Sequence, residues 1–459
     1  MENVRDKLLD NSIQEIISFL KDKHYFAART EILKFNAVDV AEILEEIIQE
    51  VDLDRAIVIF RTLPKDLAVD VFSYLNSESQ VNIINAITDK EITYIVEELA
   101  FDDMIDLLEE LPANIVDKIL EKSTGEERRL INTFLNYPEN SAGSLMTPDY
   151  ITLKKDMTVG DALAKIKREG MDSETIYTCY VKDEGRKLIG IVSLRTIVVS
   201  DNDVTIESLM NRDYIYVNVL DDQEQVSALF TRYGFLAMPV VDGENRLVGI
   251  ITVDDILTII DEETTEDFQK MAGVTVSTEE YLNMSVWKHV KNRFPWLFVL
   301  MLELMVTGII ITQFEDLLSA VIVLVSYLPL LMGTGGNSGN QSATLIIRSM
   351  TLGDINLSDA GRVFWKETRI GFCIGFALSI LNFAKIVLLD RQSPIIAITV
   401  CGSILIIIML AKTIGSMLPI LAKKMKLDPA LMANPMIASM TDLISIITYF
   451  GLAHFIIGI

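Results

Sequence analysis

Five apolar segments in the last third of the chain constrain its fold more than any other feature. They cover roughly residues 294–312, 317–347, 370–389, 394–421 and 430–458. Most of them are long enough for a helix to cross a hydrocarbon layer about 30 Å thick. Because backbone polar groups inside a bilayer must be paired within the protein, we expect these segments to be α-helices. The sequence therefore predicts a five-span α-helical transmembrane domain at residues 293–459.

Basic residues around these segments predict their orientation. Ten Lys or Arg residues flank the segments on one side, and only Arg391 flanks them on the other. Since cytoplasmic flanks are enriched in Lys and Arg, the ten mark the cytoplasmic side. The chain begins with charged residues that lead into an amphipathic helix, so no cleaved signal peptide is expected. We expect a multi-pass protein of the cytoplasmic membrane, with a cytoplasmic N-terminus and an outside C-terminus.

Charge is distributed very unevenly along the chain. Of its 65 acidic and 40 basic residues, nine and 13 lie in residues 286–459, which leaves 56 acids against 27 bases in the rest. Such an acidic soluble part attracts cations and disfavours nucleic acid as a partner. The three cysteines form no CxxC pair and the three histidines are scattered, so neither a disulfide framework nor a zinc site is indicated.

Two soluble domains are predicted before the membrane segments. Residues 1–135 show repeated helical periodicity, which indicates an all-α superhelical domain. Residues 144–262 contain an internal duplication, because Leu145-Met-Thr-Pro-Asp-Tyr-Ile is echoed from Leu209 and Leu188-Ile-Gly-Ile-Val from Leu247. Each half has the pattern strand, helix, strand, strand, helix. This α/β duplication resembles a tandem CBS-domain pair.

CBS pairs commonly bind adenine nucleotides through a Ser/Thr-x-x-Asp element, and the resemblance extends that expectation to this chain. Thr252 and Asp255 fit the element in the second half. In the first half, Thr196 replaces the acid that would hold a ribose. ATP is therefore a possible ligand of the CBS pair. The threonine at position 196 argues against its binding.

A glycine- and amide-rich run at residues 333–341 lies inside the second apolar segment. Backbone can leave regular helix at membrane depth only where protein or a water-filled cavity satisfies its polar groups. We therefore predict a break in the helix that lines a pathway. A simple packing kink is the alternative. The run lacks the Lys-Ser/Thr ending of a phosphate-binding loop.

The last apolar segment carries a carboxylate at membrane depth. Asn434, Ala438 and Asp442 are spaced by four and so share one helix face. A charge at this depth must face water, a cation or a partner charge, and an ion pair of Asp442 with Lys412 is the structural alternative. A carboxylate, an amide and exposed carbonyl groups suit a hard, hydrated dication such as Mg²⁺, whereas soft ligands are missing from this face.

These motifs resemble those of the MgtE family of magnesium channels. The resemblance rests on the run from Gly333 to Arg348, on Asp428-Pro-Ala, on Asn434-Pro with Ala438 and Asp442, and on the domain order. It implies a homodimer whose pore holds hydrated Mg²⁺ at Asn434, the Ala438 carbonyl and Asp442. It also implies a connecting plug helix, which corresponds to residues 263–292.

The same resemblance implies regulatory sites. Acids that would bind regulatory Mg²⁺ are Asp102, Asp222, Glu224, Asp255, Glu263, Glu266 and Asp267. Gly234 and Thr258 stand where further acids are expected, and Tyr177 and Arg195 match the family's ATP-contacting region.

Mg²⁺ bridging between these acids would close the pore, so the implied function is passive, feedback-gated Mg²⁺ influx. Two alternatives are transport of another divalent cation, Co²⁺ or Mn²⁺, and a non-transporting membrane sensor with a CBS pair. No nucleophile, base and orienting residue group together, so we do not expect an enzyme.

Overall fold

The structure is a computed structural model that describes residues 4–277, 281–282, 284–432 and 434–458. The chain divides into two compact units, Met1–Ile259 and Ile260–Ile459.

Ten helices form the first part of the first unit. They are α1 (Val4–Lys21), α2 (Tyr25–Ile32), α3 (Ala37–Glu50), α4 (Leu53–Thr62), α5 (Lys65–Ser73), α6 (Ser77–Ala86), α7 (Asp89–Glu98), α8 (Phe101–Glu110), α9 (Ala113–Lys122) and α10 (Gly125–Phe134). Several begin at a side chain that accepts an otherwise unpaired backbone N–H, as Asp52 does for α4 and Thr88 for α7. Their apolar faces pack together, with Ile43 and Leu44 completely buried. The predicted helical N-terminal domain is confirmed.

The second part of this unit contains the predicted duplication. Its elements are β1 (Tyr150–Lys154), α11 (Val159–Glu169), β2 (Thr175–Lys182), β3 (Leu188–Ser193), α12 (Leu194–Val199), α13 (Ile206–Leu209), β4 (Val217–Asn218), α14 (Gln223–Tyr233), β5 (Ala237–Val241), β6 (Leu247–Thr252) and α15 (Val253–Met271). The sheets have the orders β1-β2-β3 and β4-β5-β6. In each sheet the first pair of strands is parallel and the second antiparallel.

Two tyrosines join the halves of the duplication. The Tyr150 hydroxyl donates to the carbonyl oxygen of Leu247 at 3.2 Å, and the Tyr214 hydroxyl donates to that of Leu188 at 2.6 Å. Each half therefore supplies a tyrosine to the last strand of the other half.

Helices are the only regular elements in the described part of the second unit. After the end of α15 come α16 (Val286–Thr312), α17 (Glu315–Ala320), a 3₁₀ helix (Ile322–Tyr327), α18 (Leu328–Thr351), a 3₁₀ helix (Leu357–Asp359), α19 (Ala360–Leu388), α20 (Pro394–Lys424), a 3₁₀ helix (Pro429–Met432) and α21 (Asn434–Ile457). Of the predicted connector, residues 263–271 lie in α15 and 286–292 in α16.

Four of the described helical segments are long and apolar enough to cross a membrane, namely Val286–Thr312, Leu357–Leu388, Pro394–Lys424 and Pro429–Ile457. With 24 residues α18 spans about 36 Å, but glycines and amides lower its mean hydropathy. Large apolar side chains of α16, such as Leu297 and Ile309, are more than half exposed. An apolar surface of this kind is expected where lipid or another membrane helix covers it.

The predicted helix break at residues 333–341 is wrong, because α18 runs through it as continuous helix. The glycines permit close packing instead. A Cβ on Gly339 would lie 2.7 Å from Cγ2 of Ile437, and one on Gly415 would lie 2.2 Å from the carbonyl oxygen of Gly339. The departure from α-helix in this apolar segment lies earlier, at the 3₁₀ helix Ile322–Tyr327 between α17 and α18.

Helix α20 forms the centre of the second unit, packed against α18, α19 and α21. Ile404 and Ile408 of α20 are buried with Tyr449 and Phe450 of α21. The Tyr449 hydroxyl donates to the carbonyl oxygen of Leu324 at 3.0 Å. This hydrogen bond joins the 3₁₀ helix Ile322–Tyr327 to α21, the helix that carries Asp442.

Candidate functional site

The three residues predicted to bind the transported ion, Ala438 through its backbone carbonyl, lie on α21. Asn434 is its first residue, but the Asn434 side chain lies outside the described part of the structure. Ala438 and Asp442 follow one turn apart on one face, and both are half-buried. Glu303 of α16, a helix packed against α21, acts electrostatically on Asp442. Two carboxylates of the membrane domain, on different helices, are thus close enough to interact electrostatically.

The Thr441 hydroxyl group lies against the Ala438 carbonyl group. The Thr441 hydroxyl lies 2.9 Å from the carbonyl oxygen of Ala438 and 2.8 Å from that of Ile437. On the facing helix α18, a Cβ on Gly336 would lie 3.9 Å from Ala438 Cα. The glycine-rich run therefore packs directly behind the residues predicted to bind the ion.

The alternative ion pair of Asp442 with Lys412 is not present among the described residues. The Lys412 ammonium group instead donates to the Ser342 hydroxyl at 3.3 Å. Ser342 in turn donates to Oε2 of Glu367 at 2.6 Å. Asp442 thus has an acid rather than a base as its neighbour.

A cluster of acids in the first unit contains two of the predicted regulatory residues. Its members interact electrostatically and are Asp102, Asp103, Asp149, Glu174, Asp254 and Asp255. Burial, reinforced by Asp102, raises the pKa of Asp103 and of Asp255 to about 7. Burial and the neighbouring acids likewise raise the pKa of Glu174 to about 7. Such mutual repulsion favours the binding of cations.

Sequence reasoning found only Asp102 and Asp255 of this cluster. Asp103 and Asp254 adjoin these two residues, so their position in the chain is a usable signal. Asp149 and Glu174 precede β1 and β2, and only the tertiary fold brings them to α8. Asp255 also accepts a hydrogen bond from the Thr252 hydroxyl at 2.8 Å.

Asp222 and Glu224 lie at the start of α14. The Asp222 carboxylate accepts a hydrogen bond from the Glu224 backbone N–H at 2.9 Å, which caps the helix. At the other end of α14, Gly234 has a φ of 66°, a left-handed conformation that favours glycine. The left-handed backbone at the end of α14 therefore explains why glycine, rather than the expected acid, stands at position 234.

The end of α15 carries the remaining regulatory candidates, Glu263, Glu266 and Asp267. Lys270 forms ion pairs with Glu266 and with Asp428, and its Nζ lies 2.7 Å from Oδ2 of Asp428. Burial, Asp428 and Glu263 together raise the pKa of Asp267 to about 6, although Arg348 opposes this. Asp428 begins the turn that leads into α21, so the pairing joins α15 to the helix with Asp442.

A cavity of about 720 Å³ lies between the halves of the duplication and is lined by both nucleotide candidates, Tyr177 and Arg195. Asp213 and Phe235 also line it, which the sequence did not indicate. The Thr196 hydroxyl lies 2.8 Å from that of Ser193 and supplies no carboxylate.

The described acidic side chains are not arranged as a ready-made site for a metal ion without its water shell. Among the residues that the structure describes, no three His, Cys, Asp or Glu side chains converge closely enough to hold one metal ion.

Comparison with known proteins agrees with the domain order. The profile of the MgtE divalent cation transporter family matches residues 328–452, that of the MgtE intracellular N domain matches 35–140, and CBS-domain profiles match 142–201 and 206–262. The magnesium transporter MgtE of Thermus thermophilus is 40% identical over 72% of this chain and 73% of its own. The chain belongs to the MgtE family.

Other MgtE proteins show similar relationships. The magnesium transporter MgtE of Bacillus subtilis is 33% identical over 73% of both chains. That of Enterococcus faecalis is 34% identical over 72% of both chains. A solved cytosolic domain of the Mg²⁺ channel MgtE in complex with ATP is 34% identical and covers 54% of this chain and 98% of that one, with a TM-score of 0.49. Membership of the MgtE family confirms a membrane protein with a helical N domain and a CBS pair.

Proposed function

We propose that this chain is a magnesium channel of the cytoplasmic membrane that lets hydrated Mg²⁺ enter passively. The observation that carries the proposal is the position of Asp442, half-buried on a membrane helix with Glu303 as its acidic neighbour. Two neighbouring carboxylates at membrane depth repel each other unless a cation lies near them. The naming of the relatives as magnesium transporters supports Mg²⁺ as the cation.

The chemistry of the α21 face supports a hydrated ion. Mg²⁺ loses its water reluctantly and is received by oxygen atoms about one water molecule away. The Ala438 carbonyl and the Asp442 carboxylate offer such oxygens one turn apart, and Asn434 is the predicted third contributor. We place this face on the axis of a homodimer, so that each ion meets two copies of it. An inside-negative membrane potential then drives influx, since 100 mV is worth roughly 2.3 kcal/mol per charge.

We propose that intracellular Mg²⁺ closes this channel through the acidic clusters. Without the ion, Asp102, Asp255 and their acidic neighbours repel one another. When Mg²⁺ bridges them, the same charges become attractive. The acids Glu263, Glu266 and Asp267 at the end of α15 act in the same way beside Asp428, so the connector of residues 263–292 serves as the plug. A differential binding energy of about 5.5 kcal/mol moves a gate from mostly open to mostly closed.

Mg²⁺ rather than ATP is the proposed regulatory ligand. The cavity with Tyr177 and Arg195 has room for a nucleotide, but Thr196 offers no carboxylate to a ribose. Asp222 and Glu224 remain proposed Mg²⁺ ligands at the start of α14. The N-terminus is proposed to lie in the cytoplasm and the C-terminus outside.

Flux measurement in proteoliposomes tests the proposal. Wild-type protein should carry Mg²⁺ down its gradient without ATP, and Asp442→Asn should reduce the flux to that of empty vesicles. The control Asp316→Asn removes an exposed acid of α17 and should retain flux. Faster flux of Co²⁺ or Mn²⁺ in competition would favour another divalent cation. Complete lack of flux in folded wild-type protein would favour a membrane sensor.

A further inference from the structure

A buried polar chain joins three helices of the membrane domain outside the proposed ion site. It consists of Lys412 on α20, Ser342 on α18 and Glu367 on α19, joined by hydrogen bonds of 3.3 and 2.6 Å through the serine hydroxyl. The exposed fractions of Lys412, Ser342 and Glu367 are 4%, 1% and 9%. An ammonium and a carboxylate group are thus both removed from water in an apolar domain.

Stability alone does not account for this arrangement. Removing two charges from water has a large free-energy cost, and a buried ion pair is often no more stable than apolar residues of similar volume. Ionisable residues inside a membrane domain therefore indicate a functional role by default. Neither Lys412 nor Glu367 belongs to the ion site proposed above, which lies on α21.

This network of buried polar residues lies close to the proposed ion site. Ser342 follows Gly339 by one turn of α18, and a Cβ on Gly339 would lie 3.1 Å from Cγ2 of Thr441, the neighbour of Asp442. Lys412 precedes Gly415 by one turn of α20, and Gly415 contacts the Gly339 carbonyl group. Helix geometry therefore puts the ammonium group on the order of 10 Å from the α21 face. At this separation, in a medium of low dielectric constant, a unit charge acts appreciably on a dication.

We propose that Lys412 and Glu367 tune the affinity of the ion site on α21 for a dication, by setting the electrostatic potential there without contacting the ion. The proposal rests on the proposed function as a Mg²⁺ channel, and it concerns how tightly the ion site of that channel binds a dication. When both groups are charged, their contributions to the electrostatic potential at Asp442 nearly cancel. Loss of the ammonium leaves an anion behind α18 and strengthens dication binding. Loss of the carboxylate leaves a cation there and weakens it.

Two neutralising variants and their combination test the proposal. Lys412→Met should lower the half-saturating Mg²⁺ concentration of flux by roughly three- to tenfold, and Glu367→Gln should raise it by a similar factor. The double variant should return close to the wild-type value. Ser342→Ala removes the bridging hydroxyl but no charge, so it should shift the value much less. As a matched control, Lys385→Met breaks the Lys385–Asp390 ion pair elsewhere on α19 and should cause no shift.

A purely structural role predicts a different pattern. Both single variants would then lose folded protein in size-exclusion chromatography, or shift the half-saturating concentration in the same direction, and either result overturns the proposal. Mg²⁺ binding to detergent-purified protein, taken as the difference from Asp442→Asn, separates this inference from the proposed function. Opposite shifts in binding without wild-type flux would uphold the electrostatic role while refuting the channel. Lack of Asp442-dependent binding in the wild type would refute both.

Discussion

Lys270 of α15 and Asp428, at the entrance to α21, are joined by an ion pair of 2.7 Å between Nζ and Oδ2. Both side chains are about three-quarters buried, at 23% and 31% exposure. Lys270 also pairs with Glu266, one of the proposed Mg²⁺ ligands. One ammonium group thus holds the end of the connecting helix close to the helix with the proposed ion site.

The first prediction concerns this ion pair. Lys270→Met removes the cation that joins α15 to Asp428, so Glu266, Asp267 and Asp428 repel one another until Mg²⁺ neutralises them. A partly buried pair contributes about 1 kcal/mol, so the internal Mg²⁺ concentration that half-closes the channel should rise about fivefold. Flux into vesicles with buffered internal Mg²⁺ measures this. Lys270→Arg keeps the charge and should behave like the wild type; equal closure by Lys270→Met would exclude a role for the pair.

The second prediction concerns pH and the acidic cluster of the first unit. The pKa values of Asp103, Glu174 and Asp255 are raised to about 7 in the folded protein. Between pH about 4 and 7 the folded state therefore binds more protons than the unfolded state, so stability falls as pH rises through this range. We expect the free energy of unfolding of this unit to decrease by several kcal/mol in Mg²⁺-free buffer, mainly through the half-buried Asp103 and Asp255.

Hydrogen exchange of α8 in the full-length protein, followed from pH 5 to 8 and corrected for intrinsic exchange rates, measures this decrease. Addition of Mg²⁺ at pH 8 should restore protection, because the ion replaces the lost protons. The double variant Asp103→Asn, Glu174→Gln should flatten the pH dependence. Rising stability between pH 5 and 7 would contradict the predicted sign.

The third prediction concerns Glu303. If this carboxylate helps Asp442 to attract the dication, Glu303→Gln should raise the half-saturating Mg²⁺ concentration of flux by about tenfold, equivalent to about 1.4 kcal/mol, without abolishing transport. Thr307 donates a hydrogen bond to Glu303 at 3.1 Å. Thr307→Val therefore serves as the control, because it removes the hydrogen bond but keeps the charge. An unchanged concentration dependence in Glu303→Gln would remove Glu303 from the site.

The domain order could be predicted from the sequence because its signals are local. Helical periodicity, the repeated strand pattern and long apolar segments each depend on neighbouring residues. They correspond to the observed elements except in the second apolar segment, which contains α17, a 3₁₀ helix and α18. The glycine-rich run could not be interpreted in this way. Low helix propensity favours a break, yet packing of Gly339 and Gly415 outweighs it.

Partners distant in sequence were also beyond prediction. Glu303 and Asp442 lie on the first and last long helices of the membrane domain, and no spacing rule relates them. The proximity of Glu174 to Asp102, and of Lys270 to Asp428, likewise depends on tertiary packing. The residues with chemical character could be named from the sequence, but their neighbours, which decide their chemistry, could not.

The last prediction tests the packing role of the glycines. A Cβ on Gly415 would lie 2.2 Å from the backbone oxygen of Gly339, which cannot move without displacing α18. We therefore expect Gly415→Ala to destabilise the membrane domain by about 3 kcal/mol and to lower its thermal unfolding temperature in detergent. Gly333→Ala is the matched control on α18, since a Cβ there has no neighbour within 4 Å. It should be neutral or stabilise the helix by up to about 1 kcal/mol, because alanine has the higher helix propensity. If Gly333→Ala instead lowered the unfolding temperature as much as Gly415→Ala, the run would need backbone freedom rather than close contact, and the packing role would be refuted.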